Sequence, residues 1–308
     1  MKQLRKKALL PALSMALASV IALSGVTYAW FTTSNTASVK GMDVNVQAAN
    51  GIQISLDAKA WRSTINGTEI QAFAQRPNYT GADTKYPVNE IMPVSTAGKV
   101  ENGKMVMFEG GIDNGTLFSN KAETVGNNAN YIAFDLFFKS TSSKEEGQPL
   151  SLVIGPNESD LSKVIATNFF GGSTTANIES AVRVAFVPLG CEQDVSKAQA
   201  LKNGDKALIW EPAPNMGPNG TTHESVDTMG FNQAFSGLTE EELGDKVTAV
   251  KADITGTGEK FITTLHKGIN KVRVYIWLEG QDIDCVNDIS YGDFTTLLHF
   301  SVPEAEEG

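Results

Sequence analysis

Cysteine, histidine and charge are all scarce in this sequence: two Cys, three His, and 19% charged residues in a chain of 308. The histidines, His223, His266 and His299, stand 43 and 33 residues apart. None belongs to a His-Glu-x-x-His pair, which would set two ligands on one helical face, because His223-Glu224 goes no further. His299 alternates outward from the apolar set of its strand, as a structural histidine does. Also missing are a Gly-x-Ser-x-Gly elbow, a phosphate-binding Walker loop and a dinucleotide glycine pattern. Motifs therefore offer no enzyme, catalytic residue or resident cofactor.

Charge falls below the roughly 25% usual in globular proteins, while Gly (28) and Asn (21) are plentiful. The polar surface is built largely from uncharged turn formers, which suits many short strands. Four of the cations, Lys2, Arg5, Lys6 and Lys7, precede the first apolar run. Without them 21 Lys+Arg face 35 Asp+Glu, a net charge of −14. Phosphate contacts need cations, so nucleic acid is excluded as a partner.

Only one long apolar run is present. It covers residues 8–26 without a charge, follows the basic residues 1–7 and ends in Thr27-Tyr28-Ala29 before Trp30. This is the order of an export signal. Its 19 residues exceed an ordinary signal core and approach the roughly 20 of a membrane span, so a retained anchor is the alternative. Pro11, Ser14, Ser19, Ser24 and Gly25 make a mediocre anchor. We therefore expect cleavage between Ala29 and Trp30 and a secreted, extracellular or cell-surface protein. No cysteine follows the run to take a lipid, and no Leu-Pro-x-Thr-Gly anchor signal stands near the end.

From Met42 the pattern has period two. Met42, Val44, Val46 and Ala48 alternate with polar residues, as do Ile52, Ile54 and Leu56, which means two half-buried strands. A three-residue loop, Ala49-Asn50-Gly51, pairs Ala48 with Ile52 and Val46 with Ile54, keeps one face apolar and puts Gly51 in the left-handed region. Further strands are read at 132–138, 150–154, 182–186, 272–278 and 298–302, with weaker ones around 105–108, 207–210, 247–252 and 261–265. Helical signals are few: residues 160–169, and a capping-box start at Thr239 to Glu242. No βαβ alternation, repeat or linker divides the chain. The expected fold is all-β, an antiparallel jelly-roll-like β-sandwich with long loops and one or two short helices. The expected division is an export signal at 1–29, an N-terminal segment at 30–41, one sandwich domain at 42–303 and an acidic tail at 304–308.

Cys191 and Cys285 are an even pair in an exported chain, which points to a disulfide. Each follows a strong strand, as a staple between neighbouring strand ends requires. The 93 residues between them would make closure worth roughly 4 to 5 kcal/mol in the chain-entropy model. Two buried free thiols are the alternative. Asp282, Asp284, Asp288 and Asp293 concentrate hard oxygen ligands as a calcium site would. Val286 and the missing glycine break the EF-hand spacing, and solvated turn acids are the preferred reading of the cluster.

Two stretches carry a resemblance. The junction from Gly25 to Thr32, where a long apolar leader ends in Tyr28, Trp30 and Phe31 before a polar segment, resembles the TasA and camelysin-like proteins exported through a SipW-type signal peptidase. The strand from Val272 to Gly280 with Asp282, Asp284 and Cys285 is similar to a signature of exported proteins of gut Firmicutes with such leaders. The resemblance implies a jelly-roll sandwich at the surface of a Gram-positive bacterium, a SipW-type signal peptidase as partner during export, and self-association into biofilm-matrix fibres, with other matrix components as further partners. In fibre-forming members the freed N-terminal segment of one subunit completes a sheet of the next. Here that donor strand is residues 30–39, with Trp30, Phe31, Ala37 and Val39 as its apolar contributions. Two rivals remain: a monomeric adhesin stacking sugars on Trp61, Tyr79, Tyr86 or Tyr291, and a camelysin-like metallopeptidase, for which paired histidines are missing.

Overall fold

The structure, a computed structural model, describes residues 41–48, 51–74, 91–96, 98–113, 116–121, 130–140, 147–155, 162–168, 178–213, 215–216, 222–223, 252–280, 282, 285 and 293–302. In chain order the elements are β1 (Gly41–Ala48), β2 (Ile52–Ser55), β3 (Thr64–Ile65), α1 (Gly67–Ala74), β4 (Val100–Glu101), β5 (Lys104–Met105), β6 (Phe108–Asp113), β7 (Thr116–Lys121), β8 (Ile132–Ser140) and β9 (Gln148–Ile154). Then come β10 (Lys163–Asn168), α2 (Ile178–Ala181), β11 (Val182–Glu192), α3 (Val195–Ala200), β12 (Leu208–Trp210), β13 (Asn215–Met216), β14 (Thr222–His223), β15 (Gly258–Leu265), β16 (Ile269–Leu278) and β17 (Asp293–Ser301).

The expected all-β sandwich is present. One sheet runs β15-β9-β17-β1-β3, with β10 also on β17; the other runs β12-β11-β16-β8-β2. Inward residues of both sheets meet in one core, among them Val46, Ile54, Phe134, Phe138, Leu152, Val184, Phe186, Val274, Ile276 and Phe300. Phe300 packs edge-on against Phe138 and Phe186 at centroid distances of 5.1 and 5.8 Å, the geometry that ring quadrupoles favour.

The first two strands correct the expected hairpin. β1 pairs with β17, in parallel, and with β3, whereas β2 pairs with β8 in the opposite sheet. Val46 and Ile54 thus meet across the core instead of along one sheet. Crossing between sheets satisfies the same alternation, because each strand needs only one apolar face toward the core. Gly51 does sit at φ 74°, as the turn chemistry required.

A second correction concerns residues 160–169. In the described part, residues 162–168, Ser162 bridges to Ile154 and Lys163–Asn168 is strand β10, antiparallel to β17. Its β-branched Val164, Ile165 and Thr167 fit a pleated surface better than a helix. The Thr239 helix start lies outside the described residues. Of the residues read at 247–252, only Ala252 is described.

The five-stranded sheet is buried on both faces. Its outer face carries Ala133, Ala185, Val187, Ile209, Tyr275 and Trp277, covered by Val94, Met105, Met107, Leu201 and Ala207 from the segments around 94–107 and 195–207. Asn102 (φ 53°) and Gly103 (φ 72°) make the tight turn between β4 and β5, a two-residue loop with both centres left-handed.

Candidate functional site: an open sheet edge

The strand β15 lies at the end of the six-stranded sheet. It is hydrogen-bonded to β9 on one side, and among the described residues no strand pairs with its other side. Its register slips between Phe261 and Thr263. The bulge offsets the alternation, so Ile262 and Leu265, three apart, both reach the core. Phe261 is left 56% exposed.

Phe261 borders a groove of about 470 Å³ between the edge of this sheet and the bulged end of β11. Thr263, Thr264, His266 and Asn270 line it with Phe261; Pro188, Leu189, Gly190 and Asn203 form the opposite wall. The wall on β11 is shaped by its own irregularity: the register slips between Pro188 and Gly190, and Gly190 has φ 116°. β12 pairs with β11 only at Val184–Phe186. Beyond that stretch Pro188, which has no amide hydrogen to leave unpaired, is suited to a strand with one neighbour. Asn270 holds the turn from β15 to β16. Its Oδ1 accepts from the His266 amide at 2.9 Å, and its Nδ2 donates to the His266 carbonyl at 2.8 Å.

Other sheet edges are shorter or engaged. β3 has two residues. Ile54 of β2 bridges to Arg62, and Trp210 of β12 bridges to Ile254. β10 packs beside α2.

Most buried charge lies elsewhere, on the covered face of the five-stranded sheet. Arg273 donates to both oxygens of Asp135, at 2.7 and 3.2 Å. Lys271 Nζ lies 2.9 Å from the same carboxylate and donates to the carbonyls of Gln199 at 2.7 Å and Leu201 at 3.2 Å. Arg273 also reaches the Gly103 carbonyl at 3.2 Å, and the Tyr275 hydroxyl accepts from the Met105 amide at 3.0 Å. Burial pushes the Lys271 ammonium below its ordinary pKa against the opposing pull of Asp135, and pushes the Tyr275 hydroxyl up to about 12. These groups pin the two covering loops to the sheet. The sequence reading missed them, because alternation marks Lys271, Arg273 and Asp135 as outward residues and says nothing of what covers them.

The acidic loop is accounted for in part. Asp282 is buried and paired with Arg183, which also donates to the Ser180 and Val182 carbonyls at 2.6 and 3.1 Å and has Glu211 at 3.3 Å. That carboxylate serves as a counter-ion to Arg183. Asp293 opens β17 opposite Gly41, and Asp284 and Asp288 lie outside the described residues. Among the described residues no three His, Cys, Asp or Glu side chains converge on a metal position.

Cys191 and Cys285 are both free thiols, a correction to the expected staple. In the antiparallel β11–β16 pair Cys191 faces Asn270, while Val182 faces Leu278. The end of one strand therefore lies beside the start of the other. Cys285, following Leu278, belongs to the far end of the pair and is buried in the main core.

Trp61 has Lys139 Nζ 4.7 Å from its ring centre, a cation–π contact that occupies one face. Tyr79, Tyr86 and Tyr291 lie outside the described residues, as do Ala29, Trp30, Phe31, Ala37 and Val39. His266 is exposed at the groove, and His299 is half-buried on β17. No described helix is long and apolar enough to cross a membrane. No family model matches the chain, and no curated protein matches it.

Proposed function

We propose that this protein is a non-enzymatic extracellular structural subunit of a surface fibre or biofilm matrix, joined to its neighbours by strand addition. The observation that carries this reading is the edge of β15, eight residues long, with which no strand pairs on its outer side among the described residues and where Phe261 is exposed beside a groove. An uncovered edge offers backbone donors and acceptors to another chain. Strand addition uses that edge for affinity and neighbouring pockets for selectivity.

The donor in this reading is residues 30–39, which follow the export signal. Five Ser or Thr and one Asn stand among four apolar residues there, so the segment gains little from packing in its own core. Backbone pairing along a neighbour's edge does not depend on side-chain hydrophobicity. The test is negative-stain microscopy of the protein beginning at Trp30, where ordered filaments are expected. A protein that stays monomeric at high concentration and binds glycans would be an adhesin instead, and casein hydrolysis stopped by a chelator would make it a peptidase.

A further inference from the structure

We propose that the groove beside Phe261 is a binding site for a neutral saccharide chain, with the Phe261 ring as stacking platform and Asn203, Thr263, Thr264 and His266 as hydrogen-bonding partners. The site uses side-chain walls and not the backbone edge of β15, so it stands apart from the strand-addition reading.

Among the described residues only Ile165 and Phe261 are exposed large hydrophobics, at 42% and 56%, and Phe261 is the one that lines a groove. Register turns its ring outward. Phe261 faces Ser151, whose neighbours Leu150 and Leu152 both point into the core. An aromatic ring left in water presents a negative π face, which attracts the weakly positive C–H hydrogens on the apolar side of a pyranose. Trp61, the one described aromatic among those expected to stack sugars, has Lys139 over its ring instead.

The rest of the groove is polar and carries no uncommitted charge. Thr263 and Thr264 are half-buried, and Asn203 and His266 are exposed. Two hydroxyls, an amide and an imidazole offer both donors and acceptors, the complement of a ring edged with hydroxyl groups. Lys271 is the only charged residue among the described lining. Its ammonium is taken by Asp135 and by the carbonyls of Gln199 and Leu201. An acidic ligand would therefore give up its hydration without gaining a cation, whereas a neutral one strands no charge. The volume of about 470 Å³ falls within the roughly 300–1,000 Å³ of small-ligand sites.

The walls are fixed before a ligand arrives. A Cβ on Gly204 would lie 2.7 Å from both Leu189 Cδ2 and Val187 Cγ1, so the backbone beside Asn203 seats directly on β11. Asn270 holds both backbone polar groups of His266. Preorganised walls keep the ordering cost of binding low. A proline-rich peptide is the rival occupant, but such peptides dock in grooves lined by aromatics. Phe261 is the only Phe, Tyr or Trp among the described lining.

The test is isothermal titration of the purified protein with neutral tetrasaccharides of glucose, galactose, mannose and N-acetylglucosamine, and with a proline-rich decapeptide. One tetrasaccharide should bind at a single site. Phe261→Ala should weaken it about tenfold and Asn203→Ala about fivefold, while Phe261→Trp, with its larger ring, should bind as the parent does. Both positions are exposed, so all three variants should melt with the parent. No binding by any tetrasaccharide at millimolar concentration, binding unchanged in Phe261→Ala, or capture of the decapeptide in place of the sugars would overturn the site. None of these results bears on strand addition, which is read from filaments formed without sugar.

Discussion

Asp135 and Arg273 stand directly opposite each other on β8 and β16, and the guanidinium grips both carboxylate oxygens in the covered face of the five-stranded sheet. Lys271 shares the carboxylate, so two buried cations depend on one anion. Asp135→Ala should cost about 3–5 kcal/mol, the range for stranding buried charge. Lys271→Met leaves the Arg273–Asp135 pair whole and removes a second cation from Asp135 and the donor to two carbonyls, for about 1–3 kcal/mol. Urea unfolding of both variants checks the order, and equal costs would mean that Asp135 is not the hub of the cluster.

Alkaline pH should loosen the same cover. Burial raises the Tyr275 pKa from 10.0 to about 12, so between these values the folded state holds a proton that the unfolded state has lost. Stability from this group is present below pH 10 and falls as pH rises toward 12, by roughly 2 kcal/mol. Tyr275→Phe should be less stable at neutral pH, because the Met105 amide loses its acceptor, yet should lose less over that window. Parallel profiles for the two proteins would refute the assignment.

Both thiols should be free in the purified protein. Intact mass under non-reducing conditions should show no loss of two hydrogens, and reductant should leave the melting temperature unchanged. Maleimide should label half-buried Cys191 first, slowly because burial raises its pKa, and core-buried Cys285 only on unfolding. A disulfide-linked peptide pair would contradict the antiparallel register.

Gly103→Ala should strike the loop cover from another side. A Cβ there would lie 2.8 Å from the Lys202 carbonyl oxygen and 2.9 Å from Leu189 Cδ2, at a backbone φ of +72°. Strain and clash together should cost about 2–3 kcal/mol. Gly256 has a similar φ of +69° but open space around it, so Gly256→Ala should cost only about 1 kcal/mol. Thermal denaturation of the pair separates backbone strain from crowding.

Some local features were legible and went unread. Asn66 and Glu69 form a reciprocal cap at the start of α1, with the Asn66 side chain accepting from the Glu69 amide at 3.0 Å and Glu69 accepting from the Asn66 amide at 3.1 Å. Asn102-Gly103 is a two-residue hairpin signal. Both are motifs of four residues or fewer, visible without any tertiary knowledge. The open edge of β15 is different: Phe261 to Leu265 could be read as a weak strand, but an unpaired side is a property of neighbours.

By itself the sequence determined the core strands β1, β2, β8, β9, β11, β16 and β17 and which side of each faces inward. Val272, Val274, Ile276 and Leu278 alternate into the main core because a pleated strand turns every second side chain the same way. It determined the left-handed turn at Gly51 for an equally local reason. Tertiary structure alone decided which strands are neighbours. Ala48 could have paired with Ile52 or, as it does, with Phe300, since either partner keeps the apolar face inward and alternation carries no label for the partner. It also decided that Arg183, Lys271 and Arg273 are buried, because loops distant in sequence lie over strands whose outward side chains would otherwise be in water. For the same reason it separated Cys191 from Cys285: distance between strand ends depends on the direction of pairing, which no spacing along the chain records.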